Sequence, residues 1–228
     1  MLRFVYVLLI ICMCMQTPFT GGGAMRFASE YRPAFTVSIV DDAFIERIAG
    51  VSWKPGCPVP IEDLRLLRVA YADFGQRVKA GELICHYLVA DELAEIFAEL
   101  YEAGFPIERI RLIDEYNADD LLSMDDNNSS AFNFRTVEGS STLSKHAYGL
   151  AVDINPVQNP YTENNGAYVS PESGREFLNR GDIRPGMIVR GDVVYEAFTS
   201  RGWTWGGDWK YQIDYQHFQK DVPLEGTF

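Results

Sequence analysis

Ser144-Lys145-His146-Ala147-Tyr148-Gly149-Leu150-Ala151-Val152-Asp153 is the stretch on which the fold and chemistry of this chain turn. Its second half, continued by Ile154, is an apolar run interrupted by one acid, and such a run reads as a short buried strand. An ionisable side chain inside it is costly unless it is paired or bound to a metal. Gly149 lets the backbone bend just before the strand, with His146 on the far side of the bend. A second polar group lies downstream in Asp214-Tyr215-Gln216-His217. The chain has only three histidines, and these two motifs contain two of them; the third is His86.

A catalytic zinc takes three protein ligands and keeps a fourth position open for water. His146, Asp153 and His217 would supply two nitrogens and one oxygen. Asp214 would put a carboxylate beside the ion without ligating it, where it can move a proton between water and a leaving amine. Spacing alone does not decide this. An Asp153 satisfied by backbone hydrogen bonds and an Asp214 at an exposed loop edge fit the spacing slightly better.

Around these motifs the pattern is mixed. Arg68–Phe74 and Leu83–Val89 read as a hairpin turning at Lys79-Ala80-Gly81. Leu93, Ile96, Phe97, Leu100 and Tyr101 form one helical face, with Asp91 as cap, Gly104 as stop and Pro106 beyond. Arg109–Ile113 alternates as a strand, and 117–130 reads as a polar loop without a calcium-loop spacing. A second helix is expected over Val193–Ser200, capped by Asp192, and a strand over Tyr211–Phe218. Strands and helices without regular β-α-β alternation predict an α+β fold: one domain with a central antiparallel sheet flanked by helices.

The totals exclude several classes. With 228 residues, 47% hydrophobic and 23% charged, the chain has the make-up of one globular domain. A net charge of −12 gives no attraction to phosphate, so no nucleic-acid partner is expected. It also disfavours adsorption to an anionic wall polymer or membrane, and favours small substrates or single peptide stems. Arg3, the apolar run Phe4–Met15 and the small residues to Ala24 read as a signal peptide, residues 1–24, with an uncleaved anchor as the alternative. This leaves a domain at 25–228, exported to a periplasm or cell wall, without a membrane span once processed, and monomeric. Its two cysteines, Cys57 and Cys85, are equally compatible with a disulfide and with free thiols. Cys85 beside His86 is not read as a catalytic dyad, because base and thiol must meet in space rather than in sequence.

The pattern Ser-x-His-x-x-Gly-x-Ala-x-Asp, matched in full from Ser144 to Asp153 and followed by Asp214-x-x-His217, resembles the zinc peptidases of bacterial peptidoglycan. These include D-alanyl-D-alanine carboxypeptidases of the vancomycin-resistance type, D,D-dipeptidases and L-alanyl-D-glutamate endopeptidases. Ala131-Phe132-Asn133-Phe134-Arg135, Trp205-Gly206-Gly207-Asp208-Trp209 and Gly56-Cys57-Pro58-Val59 are similar to the endopeptidase-like branch, as is Asp214 where other members carry Glu. The resemblance implies a D,D-peptidase- and hedgehog-like site with one zinc ion on His146, Asp153 and His217. It further implies Asp214 as general base, Arg135 as the cation facing the developing oxyanion, and a peptidoglycan stem peptide as substrate. Ser144 and Trp205 are the candidate substrate contacts, with a helix cap and core packing as their alternatives; Arg135 has a surface pair with Glu138 as its alternative. The expected reaction is D-alanyl-D-alanine carboxypeptidase-type hydrolysis. Its rivals are L-alanyl-D-glutamate endopeptidase cleavage and, in a different class, a zinc-containing binding module without catalysis. A purely structural zinc site would need four protein ligands, and the motifs offer three.

Overall fold

The computed structural model describes residues 33–224. The expected signal peptide lies outside the described residues, so the boundary at residue 24 does too. In chain order the elements are β1 (Thr36–Ile39), α1 (Asp42–Ile48), β2 (Leu64–Ala72), β3 (Val78–His86) and α2 (Tyr87–Glu102). There follow β4 (Arg109–Ile110), α3 (Asp120–Asp125), β5 (Asn128–Ser129), β6 (Ala151–Asp153), β7 (Tyr161–Glu163) and β8 (Tyr168–Ser170). The chain closes with α4 (Val193–Thr199), β9 (Thr204–Trp205), β10 (Gln212–Asp214) and β11 (His217–Gln219). The α+β class is as expected. Its antiparallel pairing is shared among three small sheets, ordered β1-β2-β3, β10-β7-β8 and β6-β11-β9, and β4 and β5 add a short parallel pair.

The β2–β3 hairpin carries the main core. Leu67, Val69, Leu83 and Cys85 meet the apolar face of α2, formed by Val89, Leu93, Ile96, Phe97 and Leu100, and all are buried. Each such side chain contributes roughly 1.5–3 kcal/mol. The hairpin turns earlier than the sequence suggests, over Asp73–Arg77. Asp73 draws that turn closed by accepting hydrogen bonds from the amides of Gly75 and Arg77, each at 2.9 Å. Helix α2 also begins earlier than expected. Its cap is His86, whose Nδ1 accepts from the Leu88 amide at 3.2 Å, so Tyr87–Val89 are helical where a strand was expected. A histidine cap lies outside the usual Ser/Thr/Asp/Asn signature. The helix ends as expected at Gly104, whose φ of +68° allows Phe105 N to reach Leu100 O at 3.0 Å and Gly104 N to reach Tyr101 O at 3.0 Å.

Residues 117–130 are more ordered than a loop. Asp119 caps α3 by accepting from the Leu122 amide, and β5 follows. The anticipated strand Arg109–Ile113 shortens to β4, after which the chain enters a 3-10 turn at Ile113–Tyr116. Helix α4 begins at its Asp192 cap as expected. Tyr211–Phe218 divides into β10 and β11, which belong to different sheets. Cys57 and Cys85 are free thiols, so no disulfide joins them. Burial pushes the Cys85 thiol far above its ordinary value, which removes it as a nucleophile. Among the described residues no helix is long and apolar enough to cross a membrane.

The third sheet sits on this core through alternate residues. Val152 of β6 and Phe218 of β11 are cross-strand partners buried in the main cluster, and Phe218 stacks on Phe198 of α4 with centroids 4.2 Å apart. Asp153 and His217, the next pair in register, must then point to the opposite face. Gly149 fixes where this sheet begins. It adopts φ +65°, its carbonyl accepts from His86 N at 2.9 Å, and a Cβ built on it would stand 2.6 Å from that same nitrogen. Gly149→Ala should therefore cost about 1–3 kcal/mol, read as a lower midpoint of thermal unfolding in the metal-free protein. An unchanged midpoint would show that the close approach carries no weight.

Candidate metal centre

His146 stands on a 3-10 turn, Lys145–Tyr148, that Ser144 caps and Gly149 ends. The Ser144 hydroxyl accepts from the His146 amide at 3.3 Å and is buried. Ser144 thus serves as the cap of this turn, its oxygen accepting from the backbone of the turn itself. On the other side, Asp153 is bracketed by two strands. Its backbone exchanges hydrogen bonds with Ser130 at 2.8 and 3.1 Å, and β11 brings His217 directly opposite. Beneath the turn, Val59, Phe132, Phe134, Cys57 and Tyr148 share a second apolar cluster, so the Gly56–Val59 motif supports the site from below.

The three polar groups converge. His146 Nε2 lies 3.1 Å from Asp153 Oδ2, His217 Nδ1 lies 2.9 Å from Asp153 Oδ1, and the two ring nitrogens are 3.2 Å apart. The outer nitrogens have partners that fix the tautomers. His146 Nδ1 bonds to the Ala131 carbonyl, an acceptor only, so that nitrogen carries a proton and Nε2 is the one left to ligate a cation. His217 Nε2 lies 3.1 Å from Gln219 Oε1, again an acceptor, and Nδ1 is left to face the centre. Two imidazole lone pairs and a carboxylate in one buried spot repel one another unless a cation stands among them. The donor set and spacing suit zinc. An ion at its usual ~2.0–2.1 Å from each of three tetrahedral ligands holds them about 3.3 Å apart, close to the spacings observed. These three residues form one group whose ligand atoms all lie within 4.8 Å of one another.

Without the ion, protonation takes up the strain. Burial alone would raise the Asp153 carboxyl, but His146 and His217 overcome it and hold the acid far below its ordinary value. Burial likewise opposes charge on His217, yet the hydrogen bond and charge of Asp153, the charge of Asp214 and the bond to Gln219 raise it above its ordinary value.

Asp214 ends β10, paired with Tyr161 of β7. Its Oδ1 is buried without a hydrogen-bond partner. Gly206 makes room for it: a Cβ there would stand 2.5 Å from the Asp214 carbonyl oxygen and 2.9 Å from its Cβ. Burial pushes the carboxyl up to about 6; the charge of His217 lowers it and that of Asp153 raises it. An acid poised near neutrality is suited to proton transfer.

Arg135 lies on the extended segment whose Phe132 and Phe134 face the second cluster. Its carbonyl accepts from Ser144 N at 3.1 Å, and Asn133 N reaches His146 O at 3.1 Å, so this segment runs alongside the His146 turn. Its guanidinium pairs through Nε with Asp120 of α3 rather than with Glu138.

The tryptophans separate by role. Trp205, the candidate substrate contact, is buried in the main cluster, and its Nε1 donates to the Tyr215 carbonyl at 2.8 Å. This placement follows from β9 pairing with β11, which sets Trp205 opposite Phe218. Trp209 is 37% exposed with its ring 5.5 Å from that of His217. Gln219, Asp120 and Asn133 were missed. Period-2 alternation from His217 could have found Gln219; nothing local pointed to the other two.

The poised Asp214 carries a stability signature. Its folded value lies above the unfolded one, so the folded metal-free protein binds more protons between about pH 4 and pH 6 and loses stability as pH rises through that window. Asp214→Asn should thus stabilise the metal-free protein at pH 7, by about 3 kcal/mol, and the gain should vanish near pH 4. Denaturant unfolding at the two pH values measures it, and a variant less stable at pH 7 would refute the assignment.

Residues 138–220 match a family model described as D-alanyl-D-alanine carboxypeptidase. The match spans His146, Asp153, Asp214 and His217, and it begins after Arg135. No curated protein and no solved structure matches the chain. Residues 138–220 hold both motifs and the whole His146–Asp153–His217 group, so the similarity to the D-alanyl-D-alanine carboxypeptidase model falls on the residues that form the site.

Proposed function

We propose that this protein is a zinc-dependent hydrolase of peptidoglycan stem peptides, acting outside the cytoplasm as a D-alanyl-D-alanine carboxypeptidase. The observation that carries the reading is the convergence of His146 Nε2, the Asp153 carboxylate and His217 Nδ1 in one buried group. Beside that group lies an acid whose Oδ1 has no partner. The family description supports the substrate class. Zinc held by these three residues would supply Lewis acidity and would make water a better nucleophile at neutral pH.

The chain's own groups divide the remaining work. Asp214 takes a proton from the attacking water. Its burial keeps the carboxyl ready to carry that proton, and it then gives the proton to the departing amine. Arg135 sets a fixed positive charge against the scissile carbonyl oxygen as negative charge builds there, which favours the transition state over the ground state. Trp209, exposed beside His217, lines the path of the stem. Ala131 and Gln219 hold the two imidazoles so that the same nitrogens always face inward. No side chain is required to form a covalent bond to the substrate.

Asp214→Ala should keep one equivalent of zinc and lower kcat by about 10²–10⁴-fold; full turnover in that variant would remove Asp214 from its role. A chelator should abolish hydrolysis, zinc should restore it, and a β-lactam should neither inhibit nor label the protein. Covalent labelling would instead indicate a serine nucleophile. Mass analysis of products from a defined pentapeptide stem should show loss of its terminal D-alanine; a new amino terminus on D-glutamate would assign the endopeptidase reaction.

A further inference from the structure

Asp120 opens the short helix α3, far in sequence from either motif, yet both of its carboxylate oxygens are committed at the edge of the site. Oδ2 pairs with Arg135 Nε. Oδ1 accepts from Asn133 Nδ2 at 2.8 Å. Asn133 is itself held, its amide nitrogen also reaching the Ala118 carbonyl at 3.3 Å and its backbone N–H donating to the His146 carbonyl at 3.1 Å. The result is a closed linkage from the backbone of a metal-binding residue, through Asn133 and Asp120, to the guanidinium. Arg135 is itself only two residues from Asn133, and its carbonyl is pinned by Ser144 N.

A free arginine side chain samples many rotamers, and each must be given up before the guanidinium can meet a substrate oxygen in one place. A carboxylate fastened to Nε removes most of that freedom in advance. It pairs with one edge of the planar fork, and Nη1 donates to the Thr136 carbonyl at 3.3 Å. Because Asn133 bonds to the His146 backbone, the position of the guanidinium is set relative to the metal group rather than to a separate surface.

We propose that Asp120 is the positioning residue for Arg135, holding its guanidinium in the orientation in which it meets the developing oxyanion. This rests on the reading of Arg135 given above. Asp120 also partly neutralises Arg135, and the two effects have opposite consequences. If neutralisation mattered more, removing the charge of Asp120 would strengthen the hold on an anion; if positioning matters more, it weakens that hold.

The test is a double-mutant cycle on the zinc-loaded protein with Asp120→Asn, Arg135→Ala and the two combined. The readout is calorimetric affinity for a phosphinate isostere of D-alanyl-D-alanine, whose tetrahedral anion mimics the transition state, with zinc content and unfolding midpoint measured alongside. Asp120→Asn alone should weaken the phosphinate about 10–100-fold while the KM for substrate changes little. In the Arg135→Ala background the same substitution should change affinity by less than about twofold. An equal loss in both backgrounds would make Asp120 merely structural, and unchanged or tighter binding in the single variant would overturn positioning outright. If Arg135→Ala alone leaves phosphinate affinity intact, the oxyanion reading of Arg135 falls and this inference falls with it; if only Asp120→Asn is silent, Asp120 alone is dismissed. Should Asp120→Asn fail to fold or to bind zinc, Asn133→Ala, which removes the carboxylate's second anchor, is expected to give the same pattern and is judged by the same outcomes.

Discussion

Two strands of three residues each, β6 and β11, are paired so that Asp153 stands directly across from His217, and the rest of the structure depends on that register. A slip of one residue would carry the acid and the imidazole into the core and turn Val152 and Phe218 outward. The register is held from the core side, where Val152 and Phe218 are wholly buried and Phe218 stacks on Phe198. Hydrophobic packing on one face therefore fixes an electrostatically unfavourable arrangement on the other. Three groups that would each prefer water are gathered where only a cation or a shared proton reconciles them.

The surrounding elements keep that arrangement narrow. The 3-10 turn ending at Gly149 brings His146 over the sheet, and the close approach of Gly149 to the His86 nitrogen ties the turn to the end of the β2–β3 hairpin. Gly206 does the same for Asp214 from the other side. The outer nitrogens of the imidazoles are engaged by Ala131 and Gln219, which leaves the inward nitrogens able to ligate a metal. Such sites exchange stability for function: the packing around Asp214 holds a buried carboxyl one of whose oxygens has no partner.

Much of this was legible in the sequence where chemistry and periodicity coincide. Asp153 inside an apolar run and His217 three residues after an acid fit their bland readings slightly better by spacing alone, and it was the resemblance that singled out the three residues the fold brings together. The helix over Leu93–Tyr101 and its Gly104 stop followed from a 3.6-residue repeat. What escaped depends on distant contacts or backbone atoms. The Ala131 carbonyl has no signature in any sequence. His86 as a helix cap and Asp73 as the organiser of the hairpin turn needed the three-dimensional neighbours that each satisfies. Trp205 and Trp209 sit in one short motif, and only the pairing of β9 with β11 decides that the first belongs to the core while the second stays beside the metal group. Asp120 was hidden in a polar stretch read as loop, because a one-and-a-half-turn helix leaves too little periodicity to detect.

Anomalous diffraction at the zinc edge, from crystals of the zinc-loaded protein, tests the central claim most directly. The account expects one strong site in contact with His146 Nε2, the Asp153 carboxylate and His217 Nδ1, with Gln219 still on His217 Nε2. A zinc ion bound elsewhere, or held through His217 Nε2 with the ring turned over, would contradict it.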